Sequence, residues 1–198
     1  MIDRDLTSRE KKAIQTKNRI YECALKLIRK EGFDNVAVGD ICKAAEVSVG
    51  LFYYYFPSKN DIIFEVYKRA DNYFQNEIKA SIKTDDFPEK VAEYMRRYIG
   101  FVDKDGIDLI RNLYIPTNTL FTEKGRAMQL VLEMIIKEGQ EAEQIDSSKS
   151  PKDWVLFIFT VLRGIVFDWC LYKGEYNIDS KAEPFIEMVV QHISLKKD

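Results

Sequence analysis

Side chains that carry chemistry are scarce in this sequence. Its one histidine, His192, stands near the C-terminal end with no serine or cysteine arrangement beside it, so nucleophile-and-base catalysis has little to work with. G-x-G-x-x-G, the phosphate loop and H-E-x-x-H are all missing, which removes the common nucleotide-binding and zinc-hydrolase signatures. Carboxylates are plentiful, but no pair stands out in an apolar setting. We therefore expect neither an enzyme nor a cofactor. The three cysteines, Cys23, Cys42 and Cys170, lie far apart without C-x-x-C or Cys/His spacing. They read as buried reduced thiols, with no metal site and no disulfide framework. No apolar segment follows the charges of MIDRDLTSREKK, so no secretory signal is read and a cytoplasmic protein is expected.

Excess charge is also missing: the formal net charge is -2, which taken alone argues against a general nucleic-acid binder. Its distribution is uneven. Residues 1 to 60 hold eleven Lys/Arg against eight Asp/Glu, a balance of +3, which leaves -5 on the remainder. A basic head on an acidic body points toward polyanion contact. Arg9, Lys11, Lys12, Lys17 and Arg19 form its densest part, although such a run is also what a solvated helix face looks like.

Sustained apolar/polar alternation is absent, and apolar residues return three and four positions apart almost everywhere, so the expected fold is all-α. About nine helices are read, with no internal repeat and no long linker. Thr7-Ser8-Arg9-Glu10 is a capping box, and Ile20, Cys23, Ala24, Leu27 and Ile28 give the following helix one buried stripe until Gly32 ends it. A short helix over about 39 to 45 and a second from Val49 are separated by Glu46-Val47-Ser48, the spacing of a helix-turn-helix. A long helix from Ser58 to about Lys83 follows, then roughly five more, with breaks at Asp105-Gly106, Pro116-Thr117-Asn118 and Asp146 to Pro151. Trp154 to Tyr172 is apolar enough to test as a membrane span, but Arg163 at its centre and Asp168 near its end argue for a buried helix instead. No membrane partner is expected.

The stretch SVGLFYYYFPSK, Ser48 to Lys59, carries the sharpest functional signal. Phe52 and Phe56 are four apart and belong to a core, whereas three adjacent tyrosines, Tyr53, Tyr54 and Tyr55, cannot all be buried by so short a helix. Tyrosine hydroxyls donate to phosphate oxygens and so fix the register of a helix on DNA. Gly50 lets the first turn approach closely, and Lys59 adds a charge. Ala24-Leu25, Glu31-Gly32-Phe33, Val38, Ile41, Ala44-Ala45, Val47-Ser48, Gly50, Phe52 to Phe56 and Ser58-Lys59 together resemble the DNA-binding domain of the tetracycline-repressor (TetR) family, over about residues 15 to 65.

The resemblance implies a three-helix DNA-binding head at 1 to 58, an effector-binding and dimerisation body at 59 to 198, and a homodimer that represses transcription from a double-stranded operator until a small effector arrives. Carried over by position, Tyr53 matches the phosphate-binding tyrosine and Lys59 the lysine opening the fourth helix. Val49, Gly50 and Leu51 match residues that reach base edges, with Ser48, Tyr54, Tyr55, Val38 and Gly39 completing the expected DNA-binding set. Leu51 stands where a small or hydroxyl residue is common, and Val38 where a threonine often caps the second helix. Both departures remove hydrogen-bonding capacity, so readout would lean on thymine methyls and DNA shape.

In the body, Tyr94, Tyr98, Phe101, Tyr114, Phe121, Met128, Met134, Phe157 and Trp169 exceed what a minimal core needs and form the candidate pocket for a hydrophobic or amphipathic effector. The segment Arg163-Gly164 to Asp168-Trp169 resembles a motif in the penultimate helix of such regulators. It implies an interface with a twofold mate through helices at about 152 to 173 and 180 to 195, with Gly164, Asp168, Tyr172, Phe185 and Val189 as candidates. The alternative is a helical dimerisation or adaptor protein whose helix-turn-helix is only structural.

Overall fold

Capping chemistry sets the helix boundaries. Thr7 accepts from the backbone of Glu10 while the Glu10 carboxylate accepts from Thr7, which opens α1 (Ser8–Glu31); Gly32, at φ 83°, closes it. The computed structural model describes residues 7–78, 81–115 and 118–195. The chain divides into two units, Met1–Glu65 and Val66–Asp198.

The first unit holds α1, α2 (Val38–Ala44), α3 (Val49–Tyr55) and the start of α4 (Asn60–Tyr73). Ile20, Ala24 and Ile28 of α1, Ile41 of α2 and Phe52 of α3 are fully buried, and Phe56 closes this core where α3 ends. Burying such a phenylalanine is worth about 1.5–3 kcal/mol over leaving it exposed. Between α2 and α3, Glu46 takes φ 51° and Val47 N–H bonds the Cys42 carbonyl, which tightens the turn.

The second unit contains α5 (Phe87–Asp105), α6 (Ile107–Leu113), a 3-10 turn (Thr119–Thr122), α7 (Ala127–Glu141), α8 (Pro151–Leu171) and α9 (Ile178–Ile193). Asp86, Ser150 and Asn177 cap α5, α8 and α9 through their side-chain oxygens. Helix α5 runs through the middle of this unit, packed on α6, α7, α8 and α9. Among the described residues there are nine α-helices, and extended backbone pairs only at one bridge, Ile145 with Ser194.

The fourth helix is not regular to its expected end. Its α-helical part stops at Tyr73 and widens into a π turn over Phe74–Ile78, and the expected continuation toward Lys83 crosses residues outside those described. Helix α8 is long and apolar enough to span a membrane, with mean hydropathy 1.8. It is instead the core helix of the body: Trp154, Ile158, Leu162 and Val166 are fully buried, and the Trp154 indole N–H donates to the Asp146 carbonyl. Of the cysteines, Cys42 is buried as expected; Cys23 and Cys170 are only half-buried, because each lies at the edge of its helix's apolar face. All three are free.

Candidate nucleic-acid interface and effector-domain core

Helix α3 presents two faces. Phe52 points into the head, edge-on to Tyr53 and tilted against Phe56. The opposite face is open: Val49 is 50% exposed, Tyr53 49% and Tyr54 77%, with Leu51 and Gly50 also at the surface. A side chain on Gly50 would meet nothing within 4 Å, so its smallness answers to no neighbour among the described residues. Ser48 is held as N-cap by the Leu51 N–H. Tyr55 is half-buried and packs its ring edge-on to Tyr54.

Two residues expected on that face sit differently. Lys59 precedes α4 and its ammonium points inward, donating to the carbonyls of Phe33 (2.8 Å) and Val36 (2.9 Å) over the Phe33 ring. It ties the loop after α1 to the start of α4, so the expected phosphate-facing charge is corrected to an internal clamp. The cap of α2 is Ala37, not Val38; Val38 is the first helical residue and half-buried. The missing hydroxyl is offset from within, since the Asp40 carboxylate accepts from the Ala37 N–H. Gly39 is exposed. Of the basic cluster, Arg9, Lys11, Lys12 and Arg19 are exposed, while Lys17 pairs with Glu65 at 2.9 Å.

In the body, tyrosines turn inward. The Tyr94 hydroxyl donates to the Met128 carbonyl at 2.7 Å, and those of Tyr98 and Tyr114 share a bond of 2.5 Å. Burial pushes the hydroxyls of Tyr67, Tyr94 and Tyr114 well above the usual range and raises that of Tyr98, which keeps all four protonated at neutral pH. Phe74, carried by the π turn, touches Tyr94, Tyr98 and Phe101; Phe121 packs between Tyr67 and Tyr114. Beside these rings lies Arg126. Its guanidinium bonds Asp71 at 2.7 Å and the Tyr67 carbonyl at 2.8 Å, and stacks 3.7 Å from the centre of the Tyr67 ring. Its Nη1 is buried and has no hydrogen-bond partner among the described residues.

Residues 20–66 match the family model "Bacterial regulatory proteins, tetR family". The head is thus similar to the TetR-family DNA-binding domain. Over 90% of its length it is 22% identical to the fatty acid metabolism regulator protein of Bacillus subtilis, covering 95% of that protein. Among solved structures, it resembles FadR of the same organism in complex with stearoyl-CoA (TM-score 0.66, 21% identity, 89% of this chain and 98% of that one). It also resembles FadR of Thermus thermophilus in complex with lauroyl-CoA (TM-score 0.72, 17% identity, 92% and 97%). At such identities these two structures establish the fold, and the matched head establishes a DNA-binding transcriptional regulator.

Within the body, the candidate pocket residues divide. Tyr94, Tyr98 and Phe101 gather on Phe74, Tyr114 is joined to Tyr98 and Phe121 to Tyr114, and the Met128 carbonyl holds the Tyr94 hydroxyl. Phe157 does not join them: it packs with Trp154 and His192 at the α8–α9 contact. Trp169 is likewise elsewhere, its N–H on the Tyr176 carbonyl near the end of α8; both lie on faces of α8 turned toward α9 and its preceding loop. Met134 is half-buried on α7. Among the interface candidates, Gly164, Tyr172 and Phe185 are exposed, and Asp168 is half-buried as acceptor for the Tyr176 hydroxyl. Val189 is buried inside the subunit; one position earlier, 100° around α9, Met188 is the exposed residue. Sequence reasoning missed Tyr67, Asp71, Phe74 and Arg126. Asp71 and Arg126 pair across 55 positions, which no local pattern discloses.

Proposed function

We propose that this protein is a homodimeric, ligand-released repressor that reads a twofold-symmetric operator through α3. The observation that carries the reading is the division of α3: Phe52 is anchored in the head while Val49, Gly50, Leu51, Tyr53 and Tyr54 have no partner layer of their own. Tyr53 supplies a phosphate-bonding hydroxyl, and Val49 and Leu51 supply apolar contact to thymine methyls. The functional division lies at 58/59, with residues 59 to 198 as effector-binding and dimerisation body. Dimerisation is supported by apolar side chains left exposed on two adjacent helices, Leu156, Phe167 and Leu171 of α8 and Phe185 and Met188 of α9. Gly164, with nothing near its Cβ position, lets a twofold mate approach closely.

The effector is a small hydrophobic or amphipathic compound, in keeping with the acyl-CoA complexes of the structural relatives and with the ring cluster of the body. The protein acts in the cytoplasm and has no catalytic role. Two recognition helices enter successive major grooves when about 34–36 Å apart, and an effector that binds better to another spacing shifts the population off DNA.

The test is selection from a random duplex library, repeated with Tyr53→Phe. A twofold-symmetric motif that the variant binds roughly 10- to 150-fold more weakly, the worth of one hydrogen bond to a charged acceptor, supports the reading. Absence of any enriched motif at low salt leaves the adaptor role and sinks this one.

A further inference from the structure

One buried cation in the body has more bonding capacity than the protein uses. Arg126 is only 6% exposed, and three contacts hold it in place: Asp71, the Tyr67 carbonyl and the Tyr67 ring. Nη1 is left over, buried and unbonded among the described residues. A buried N–H of a charged group without an acceptor is costly, so such a group calls for a partner. Charge decides which kind. The Asp71 carboxylate balances Arg126, but among the described residues the neighbouring Arg163 bonds uncharged oxygens, the Phe121 carbonyl and the Thr160 hydroxyl, both at 3.3 Å. Both guanidiniums act electrostatically on Tyr67 and Tyr98, and Asp71 is the carboxylate that acts on Tyr67 with them, so two cations share this neighbourhood with one anion.

Resting on the reading of the body as an effector domain, we infer that Arg126 Nη1 anchors the head group of the effector, and that this effector is an amphipathic acid with a single carboxylate. A carboxylate oxygen supplies the acceptor that Nη1 lacks, in a charge-assisted bond, while Nε and Nη2 stay on Asp71 and the Tyr67 carbonyl. A dianionic phosphate would overshoot that balance in a water-poor site. The apolar part of the acid lies against Tyr67, Tyr98, Tyr114 and Phe121. Phe121 is the outermost of these, half-buried on a 3-10 turn, and is the ring an entering ligand displaces.

The test is calorimetric titration of the full chain with three pairs of probes: dodecanoate and dodecanamide, 3-phenylpropionate and its amide, benzoate and benzamide. The expected result is that at least one acid binds at least tenfold more tightly than its amide, and that Arg126→Gln removes the preference. Should Arg126→Gln fail to fold, Asp71→Asn with Arg126→Gln removes both charges of the pair together. Arg163→Gln should weaken the acid and spare the amide. Equal binding of acid and amide, as expected if an ordered water alone serves Nη1, overturns the inference. So does an acid preference that survives Arg126→Gln, or a failure of all three acids to bind. Failure of the acids with operator selection intact sinks only this inference, whereas loss of DNA selection sinks the repressor reading itself.

Discussion

Tyrosine is used in opposite ways in the two units. In the head, Tyr53 and Tyr54 hold rings and hydroxyls at the surface; in the body, Tyr94, Tyr98 and Tyr114 are buried with their hydroxyls bonded to Met128 or to each other. An outward hydroxyl adds little to folding and remains available to a partner. An inward one fixes a helix pair and carries a penalty when its partner goes. Residue type alone therefore does not assign function; what matters is whether its helix has room to bury it.

The largest effect should come from setting those tyrosines against each other. Tyr94→Ala should cost about 3–5 kcal/mol in denaturant unfolding, the range for emptying a buried ring site; Tyr54→Ala should stay within about 0.5 kcal/mol. Comparable losses would break the contrast. Two glycines sharpen it within the body. A Cβ on Gly139 would lie 2.6 Å from Ile145 Cδ1 and 2.8 Å from Phe87 Cβ, so Gly139→Ala should cost about 1–3 kcal/mol by overpacking. Gly164→Ala, which meets nothing in its own chain, should leave subunit unfolding unchanged and weaken self-association in sedimentation.

Lys59→Met tests the inward turn of a head residue. Loss of two charge-assisted bonds should cost about 1–3 kcal/mol of stability, with the salt dependence of DNA binding unchanged; a shallower salt slope would return Lys59 to the phosphates. The smallest effect concerns the surface of the body. Hydrogen bonding from Arg96 holds the Glu183 carboxyl below its ordinary 4.5. A depressed folded-state value stabilises above pH 4.5 and is lost as the pH falls further. Glu183→Gln should accordingly lower stability at pH 7 by less than about 1 kcal/mol, with wild type and variant converging in acid.

Much of this was legible in the chain itself, and the reasons are local. Thr7 with Glu10 and Gly32 after Glu31 mark α1 because caps act within one turn of the residues they serve, and the spacing of Phe52 and Phe56 sorts one ring set from the other because a helix turns about 100° per residue. Lys59, Arg126 and Gly139 were not legible. Each is defined by atoms far along the chain: the Phe33 carbonyl, the Asp71 carboxylate, the Ile145 side chain. In Glu123-Lys124-Gly125-Arg126 a buried arginine looks like any polar loop. Gly164 drew notice through its motif, yet the tight glycine inside the subunit is Gly139.

The two indoles have a practical consequence. The sequence has only Trp154 and Trp169; both ride on α8, each pinned by its N–H to a carbonyl, of Asp146 and of Tyr176. Tryptophan emission is thus a reporter wired to the body alone. A melt followed by fluorescence will record the second unit and stay silent if the head frays first, while far-ultraviolet dichroism will see both; a gap between the two curves would time the head's unfolding without any label.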